Sequence, residues 1–190
     1  MDLMLLSKGS KMILNRKQLI HQQAEKLAEK RDKWISKNSY FYKSDRTYMQ
    51  FLIGNDKNIL ELGCGTGQLL NALNPSRGIG VDLSANMVAI AQKNYPDLEF
   101  IQGDIEDKDL ISSLKGPFDF IILSDTIGYI DDCEETFIAL HRLCTSDTRL
   151  IISYHSWFWK PVLSLAEKIG LKMPSVEMNW LSTEDTMGFL

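Results

Sequence analysis

Apolar positions along this 190-residue chain fall into short runs separated by amphipathic stretches of helical period. Ile59 to Leu62 is apolar except for Glu61 and runs into Gly63, Gly65 and Gly67, three glycines spaced two apart. An amphipathic run from Gln68 to Leu73 follows and stops at Asn74-Pro75. The pattern predicts a buried strand, a tight turn and a helix start. It repeats downstream. Gly78 to Asp82 reads as a second strand finishing on an acid. Ser84 caps a helix that buries Met87, Val88, Ile90 and Ala91 and ends near Tyr95-Pro96. Leu98 to Ile101 is a third strand, and a short helix is expected over 108–114. Phe118 to Leu123 has the nearly continuous apolar character of a central strand buried on both faces. A helix over 133–143, a fifth strand over 148–154 and a helix near 161–169 complete the alternation. Ser182 to Asp185 has the form of a capping box opening one more helix.

Ahead of this unit, Ser10 to about Lys37 holds no proline or glycine, and Ile13, Leu14, Leu19, Ile20 and Leu27 partly follow a helical period. Ser10 is the expected N-cap. Asn38-Ser39 then break the helix, and Tyr40, Phe41, Tyr42, Arg46, Tyr48, Phe51 and Leu52 cluster; most are expected to be core or lid packing. The chain divides on this reading into a basic helical segment, 1–39, and an α/β domain, 40–190.

Strands alternating with helices on short connections predict a mainly parallel sheet with right-handed crossovers. Ligands bind such sheets outside the carboxyl ends of the strands. Gly63 to Gly67, Asp82, Asp104 and Ser124-Asp125 each follow a predicted strand, so four strand ends are expected to converge on one crevice.

Composition narrows what that crevice can hold. Net charge is −4, but residues 1–37 carry nine Lys/Arg against four Asp/Glu, and the remainder twelve against twenty-one. An acidic body argues against a nucleic-acid substrate, which needs a broad positive footprint. The basic helix is expected to be a solvated face, or else to touch a membrane surface or a protein partner. Cys64, Cys133 and Cys144 show no CxxC spacing, and His21, His141 and His155 are scattered, so neither a disulfide framework nor a metal site is expected. No apolar run approaches the roughly 20 residues of a membrane span, and the acidic start lacks signal-peptide character. A cytoplasmic location is the expectation.

Taken in order, these residues resemble the class I S-adenosylmethionine-dependent methyltransferases. Glu61-Leu62-Gly63-Cys64-Gly65-Thr66-Gly67 matches the family's acid-x-Gly-x-Gly-x-Gly motif at every position. Asp82 with Leu83-Ser84-Ala85-Asn86-Met87 matches the second motif, Gly103-Asp104-Ile105 the third, and the Phe118 to Asp125 stretch the fourth. The likeness covers roughly residues 40–182. It implies a Rossmann-like sheet and S-adenosylmethionine as cofactor, with S-adenosylhomocysteine as product. Gly63, Cys64, Gly65 and Gly67 would form the turn that meets the methionine portion, and Glu61 would orient its ammonium group. Asp82 would accept both ribose hydroxyls. Leu83 and Met87 would pack on the adenine, Asp104 would take its amine and the Ile105 N–H its ring nitrogen. Ser124 would offer a carbonyl to the amine end, and Tyr42 and Arg46 would close over the carboxylate. A dinucleotide site competes for the same strand, turn and acid, but its G-x-G-x-x-G fingerprint places the third glycine one residue later. Cys64 reads as a small turn residue rather than a nucleophile.

Methyl transfer needs alignment, exclusion of water and, for a hydroxyl or protonated amine, a base. Asp125, Tyr129 and His155 are the candidates, each equally readable as structural; Tyr154, Trp157, Phe158 and Trp159 are expected to wall a substrate pocket or to be core. The stretch from Ser153 to Ser182 also resembles bacterial methyltransferases of surface-polysaccharide pathways, which implies a sugar, glycan or other small hydroxylated acceptor. The family sheet has the strand order 3-2-1-4-5-7-6, and the antiparallel pair 7-6 has no sequence here. The fifth strand is then expected to be covered by a partner chain or a second copy, or to leave the protein less stable. A methyltransferase-like module that binds cofactor or a partner without catalysis is the alternative.

Overall fold

Five strands, β1 (Asn58–Leu62), β2 (Arg77–Asp82), β3 (Glu99–Gln102), β4 (Phe120–Ser124) and β5 (Arg149–Ser153), form one sheet in the order β3-β2-β1-β4-β5. All four pairings are parallel. This is the first five strands of the expected order, with strand ends within about two residues of expectation. The computed structural model describes residues 15–155, 157–174, 178–180 and 182–188. Among them β5 pairs only with β4, and its residues are half-buried or exposed.

Alternation along β1 separates the two cores. Leu60 and Leu62 pack with Ile79, Val81, Ile121 and Leu123 on the side of α5 (Lys108–Ser113) and α6 (Cys133–Leu140). Ile59 packs with Leu70, Val88, Phe100 and Ile122 on the side of α3 (Gln68–Ala72) and α4 (Ala85–Asn94). Glu61 shares the second side, because side chains two apart on a strand face the same way. Ser84 caps α4 as expected, its hydroxyl accepting the Met87 N–H at 3.1 Å.

The N-terminal region forms two helices, α1 (Arg16–Lys37) and α2 (Ser39–Ile53). Asn15 caps α1 through a reciprocal box with Gln18; the expected cap, Ser10, lies outside the described residues. Leu27, Ala28 and Ile35 of α1 are buried, and the helix packs against α4. The aromatic cluster is helical, and of the expected core or lid packing the core part is corrected. α2 buries only Met49 and Ile53, which leaves Tyr40, Phe41, Tyr48 and Phe51 exposed. One helical face can reach the core, and the aromatics occupy the other positions of the turn.

At the other end, α7 (Lys160–Lys168) falls where a helix is expected, and α8 (Thr183–Gly188) opens directly after Ser182. The Asp185 side chain of the expected capping box lies outside the described residues. Trp157 and Phe158 stack on each other in an exposed 3-10 turn and so belong to no core. The Thr186 hydroxyl lies 3.2 Å from that of Tyr154, which ties α8 to the end of β5.

Candidate functional site

The switch point lies between β1 and β4, where the chain leaves the sheet in opposite directions. A cavity of about 810 Å³ opens there, walled by Gly63, Gly65, Asp82, Leu83, Met87, Asp104, Ile105 and Ser124. Beside it a pocket of about 50 Å³ is lined by Glu61, Cys64, Tyr42 and Arg46, and shares Gly63, Ser124 and Asp125 with the larger one. Four strand ends thus meet at one crevice, as the spacing of the motifs predicts. Gly67 lines neither space; it starts α3 with its neighbours Phe100 and Ala91 on the core side.

The glycine turn is fixed from three directions. Gly63 and Cys64 donate their amides to the Val81 carbonyl at 2.7 and 3.0 Å, and Gly67 donates to Cys64 at 3.0 Å. Gly63 has φ +79, and a Cβ there would run into the Thr126 side chain, whose methyl it would meet at 2.7 Å. A glycine is required on both counts. Burial pushes the Cys64 thiol well up, which suits an inert turn residue.

Both carboxylate oxygens of Asp82 are held by backbone amides, Oδ2 by Gly65 at 2.7 Å and Oδ1 by Ser84 at 2.9 Å. Each oxygen keeps a second lone pair, so a vicinal diol can still be accepted on the cavity side. Burial raises the Asp82 carboxyl, against those two amide bonds. Glu61 lies deeper, 3% exposed, and accepts the Leu70 N–H at 3.0 Å. Burial pushes its carboxyl up to about 8. A cation reaching that pocket would therefore meet an acid that gains its charge as the cation arrives.

Residues of α1 that carry no local motif also reach this site. Lys17 sits 2.9 Å from Asp104 Oδ1 and pairs with Glu106. Burial works against the charge of Lys17, and its hydrogen bonds to Glu106 and Asp104 outweigh it, raising the pKa. Asp32 accepts the Thr66 hydroxyl at 2.6 Å and the Gln68 amide at 2.8 Å. Arg16 donates to the Gly128 carbonyl at 2.7 Å and pairs with Asp131. Two of the basic residues of this helix, Arg16 and Lys17, thus face acidic loops of its own chain. The opposite charge imbalances of residues 1–37 and the remainder were the one available signal.

Asp125, Tyr129 and His155 all line the large cavity. Asp125 adopts a left-handed φ of +53 and anchors its amide on the Ser153 carbonyl at 2.8 Å. His155 Nε2 lies 3.8 Å from Asp125 Oδ1, beyond a direct hydrogen bond. Burial pushes the Tyr129 phenol up to about 12, so it holds its proton at neutral pH. Trp34, Tyr154, Trp159, Met173 and Trp180 also line the cavity. Among the described residues no cluster of His, Cys, Asp or Glu is arranged to hold a metal ion, and no helix is long and apolar enough to cross a membrane.

Three acids, Asp82, Asp104 and the buried Glu61, thus stand around the crevice as hydrogen-bond acceptors. Comparison with known proteins identifies the family. Residues 20–187 match the family described as a methyltransferase domain. A malonyl-[acyl-carrier protein] O-methyltransferase of Halalkalibacterium halodurans is 32% identical over 102 residues, 50% of this chain and 38% of that protein. A demethylmenaquinone methyltransferase of Chlorobaculum tepidum is 34% identical over 93 residues, 45% of this chain and 35% of that protein. The matched stretch is less than half the length of these curated relatives. An S-adenosylmethionine-dependent methyltransferase of Thermotoga maritima shares the fold with a TM-score of 0.71, at 24% identity, over 90% of this chain and 78% of its own. A magnesium protoporphyrin IX methyltransferase of Synechocystis with bound S-adenosylhomocysteine gives 0.62 at 18% identity, over 92% of this chain and 87% of its own. The chain belongs to the class I S-adenosylmethionine-dependent methyltransferases.

Proposed function

We propose that this chain binds S-adenosylmethionine across the β1–β4 switch point and transfers its methyl group to a small-molecule acceptor. The observation that carries the reading is the convergence of Gly63, Asp82, Asp104 and Ser124 on one cavity large enough for a nucleoside and a second molecule. Asp82 holds the ribose hydroxyls, Leu83 and Met87 grip the adenine, and Asp104 and the Ile105 amide read its edge. Gly63, Cys64, Gly65 and Gly67 shape the turn under the methionine portion. Glu61 and the Ser124 carbonyl orient its ammonium end.

The cofactor supplies an activated methyl on a sulfonium. The chain's part is to align an acceptor atom with that methyl, exclude water and take up a proton where the acceptor carries one. Asp125 and His155, which line the cavity, are the groups at hand. Tyr129, which keeps its proton, serves as a donor or as packing. The likeness of residues 153–182 to surface-polysaccharide enzymes favours a sugar, glycan or similar hydroxylated acceptor. The half-exposed edge of β5 favours a partner chain or a second copy of this chain, and a location in the cytoplasm fits the absence of any spanning helix among the described residues.

Formation of S-adenosylhomocysteine in the presence of hydroxylated acceptors, measured by mass spectrometry, tests the reading. Accumulation that depends on the acceptor supports it. Tight cofactor binding with no turnover on any acceptor would favour the non-catalytic module, which the motifs for cofactor binding also allow.

A further inference from the structure

α7 has two apolar faces, and only one of them meets the protein. Trp159, Leu163 and Ala166 line the large cavity. One position earlier in each turn, Phe158, Val162, Leu165 and Ile169 form a second stripe that faces outward. Phe158 is 73%, Leu165 59% and Ile169 61% exposed. Trp157, stacked on Phe158, and Leu171 extend this surface at its two ends, and both are exposed. Large apolar side chains gathered on a surface in this way mark a contact with something else.

The charges beside the stripe decide what that contact is. The chain carries a net charge of −4, yet residues 157–172 hold Lys160, Lys168 and Lys172 against Glu167 alone. Glu167 pairs with Lys172, and Lys160 and Lys168 are exposed. A second copy docked on the stripe about a two-fold axis would bring the same lysines to both sides, with no further acid in this segment to meet them. An anionic bilayer complements both features. Apolar side chains enter the acyl boundary, aromatic rings settle at head-group level, and lysines at the edge of the stripe reach the phosphates. α7 is nine residues long, too short to cross a membrane, and so would lie in the plane of the surface. Trp159 and Leu171 line the cavity while remaining exposed, which places the stripe beside the cavity's opening.

We propose that α7 and the aromatic turn before it seat this protein on an anionic phospholipid surface, with the cavity opening beside the contact. The contact is made through this helix rather than through α1, whose Arg16 and Lys17 turn to acidic loops of the chain itself. It does not depend on what the cavity binds.

The test is flotation of the full chain with vesicles of equal parts phosphatidylcholine and phosphatidylglycerol, against vesicles of phosphatidylcholine alone. The wild type is expected to float with the anionic vesicles, less so as salt rises, and to shift its tryptophan emission to shorter wavelength. Leu165→Gln combined with Ile169→Gln should weaken partitioning by more than about 10-fold, since two apolar side chains leave the contact. Lys160→Gln combined with Lys168→Gln should weaken it by about 10- to 30-fold. Phe51→Gln, on the exposed face of α2, should stay within about 2-fold of the wild type. All five positions are exposed, and circular dichroism checks the fold of each variant. No flotation with the anionic vesicles, equal flotation with phosphatidylcholine alone, or flotation that Leu165→Gln with Ile169→Gln leaves unchanged would overturn the proposal. A dimer that the same double variant dissolves, seen by analytical ultracentrifugation without vesicle binding, would overturn it in favour of a second copy. The assay contains no cofactor, so its failure is separate from failure of the cofactor reading.

Discussion

Lys17 of α1 places its ammonium 2.9 Å from the Asp104 carboxylate, on the loop after β3. The same ammonium pairs with Glu106, whose other oxygen accepts the amides of Asp131 and Asp132 at 3.0 and 2.8 Å. One lysine therefore joins the first helix to the loops after two strands. Asp104 Oδ1 takes Lys17 and the Glu106 amide, which leaves Oδ2 without a hydrogen bond to any described residue.

Lys17→Met should leave two carboxylates side by side with no cation between them. Stability is expected to fall by about 1 kcal/mol, the upper range for a partly exposed ion pair. The loss should shrink as salt screens the remaining repulsion. Urea unfolding at low and high ionic strength checks both expectations.

The contact between Gly63 and Thr126 is steric. Gly63→Ala should cost roughly 1 kcal/mol for its left-handed backbone and a further 1–3 kcal/mol for overlap with the threonine side chain. Adding Thr126→Ala removes the overlapping hydroxyl and methyl but not the backbone term. Denaturant unfolding of the four proteins in a double-mutant cycle should show the pair partly rescued; purely additive losses would remove the steric account.

Glu61 gives stability a pH dependence of definite sign. Its folded pKa, about 8, stands above the ordinary 4.5, so the folded state holds its proton more tightly than the unfolded chain does. That stabilisation is complete below about pH 4.5, is lost as pH rises through 8, and amounts to a few kcal/mol. Glu61→Gln keeps an acceptor for the Leu70 amide and has no charge to bury. The difference in unfolding free energy between Glu61→Gln and wild type should therefore grow in favour of the variant from pH 5 to pH 8. Chemical denaturation across that range measures it.

Once an acceptor is in hand, the base can be assigned by substitution. Tyr129→Phe should leave kcat within about 3-fold, since a phenol held up near 12 cannot accept a proton at neutral pH. Asp125→Asn or His155→Gln should lower kcat by about 10²-fold or more for whichever residue takes the proton. Steady-state kinetics of the three variants decides between them.

Motif residues were legible in the sequence because each is fixed by its own strand end. Glu61, Gly63, Asp82 and Asp104 follow apolar runs whose period identifies them as strands, and parallel order brings the ends together. Asp32 and Lys17 were not legible, because their partners lie between 34 and 89 residues away and nothing local marks a helical side chain as facing another part of the chain. α2 was missed for a related reason. Its aromatics suggest burial, while the helix hides only Met49 and Ile53.

The most direct test of the account is a calorimetric titration of the chain with S-adenosylhomocysteine, with NAD as control and Asp82→Ala as the site variant. Micromolar binding that disappears in Asp82→Ala, with no response to NAD, is the predicted result. Binding that survives Asp82→Ala, or no binding by the wild-type chain, would contradict the assignment of the crevice.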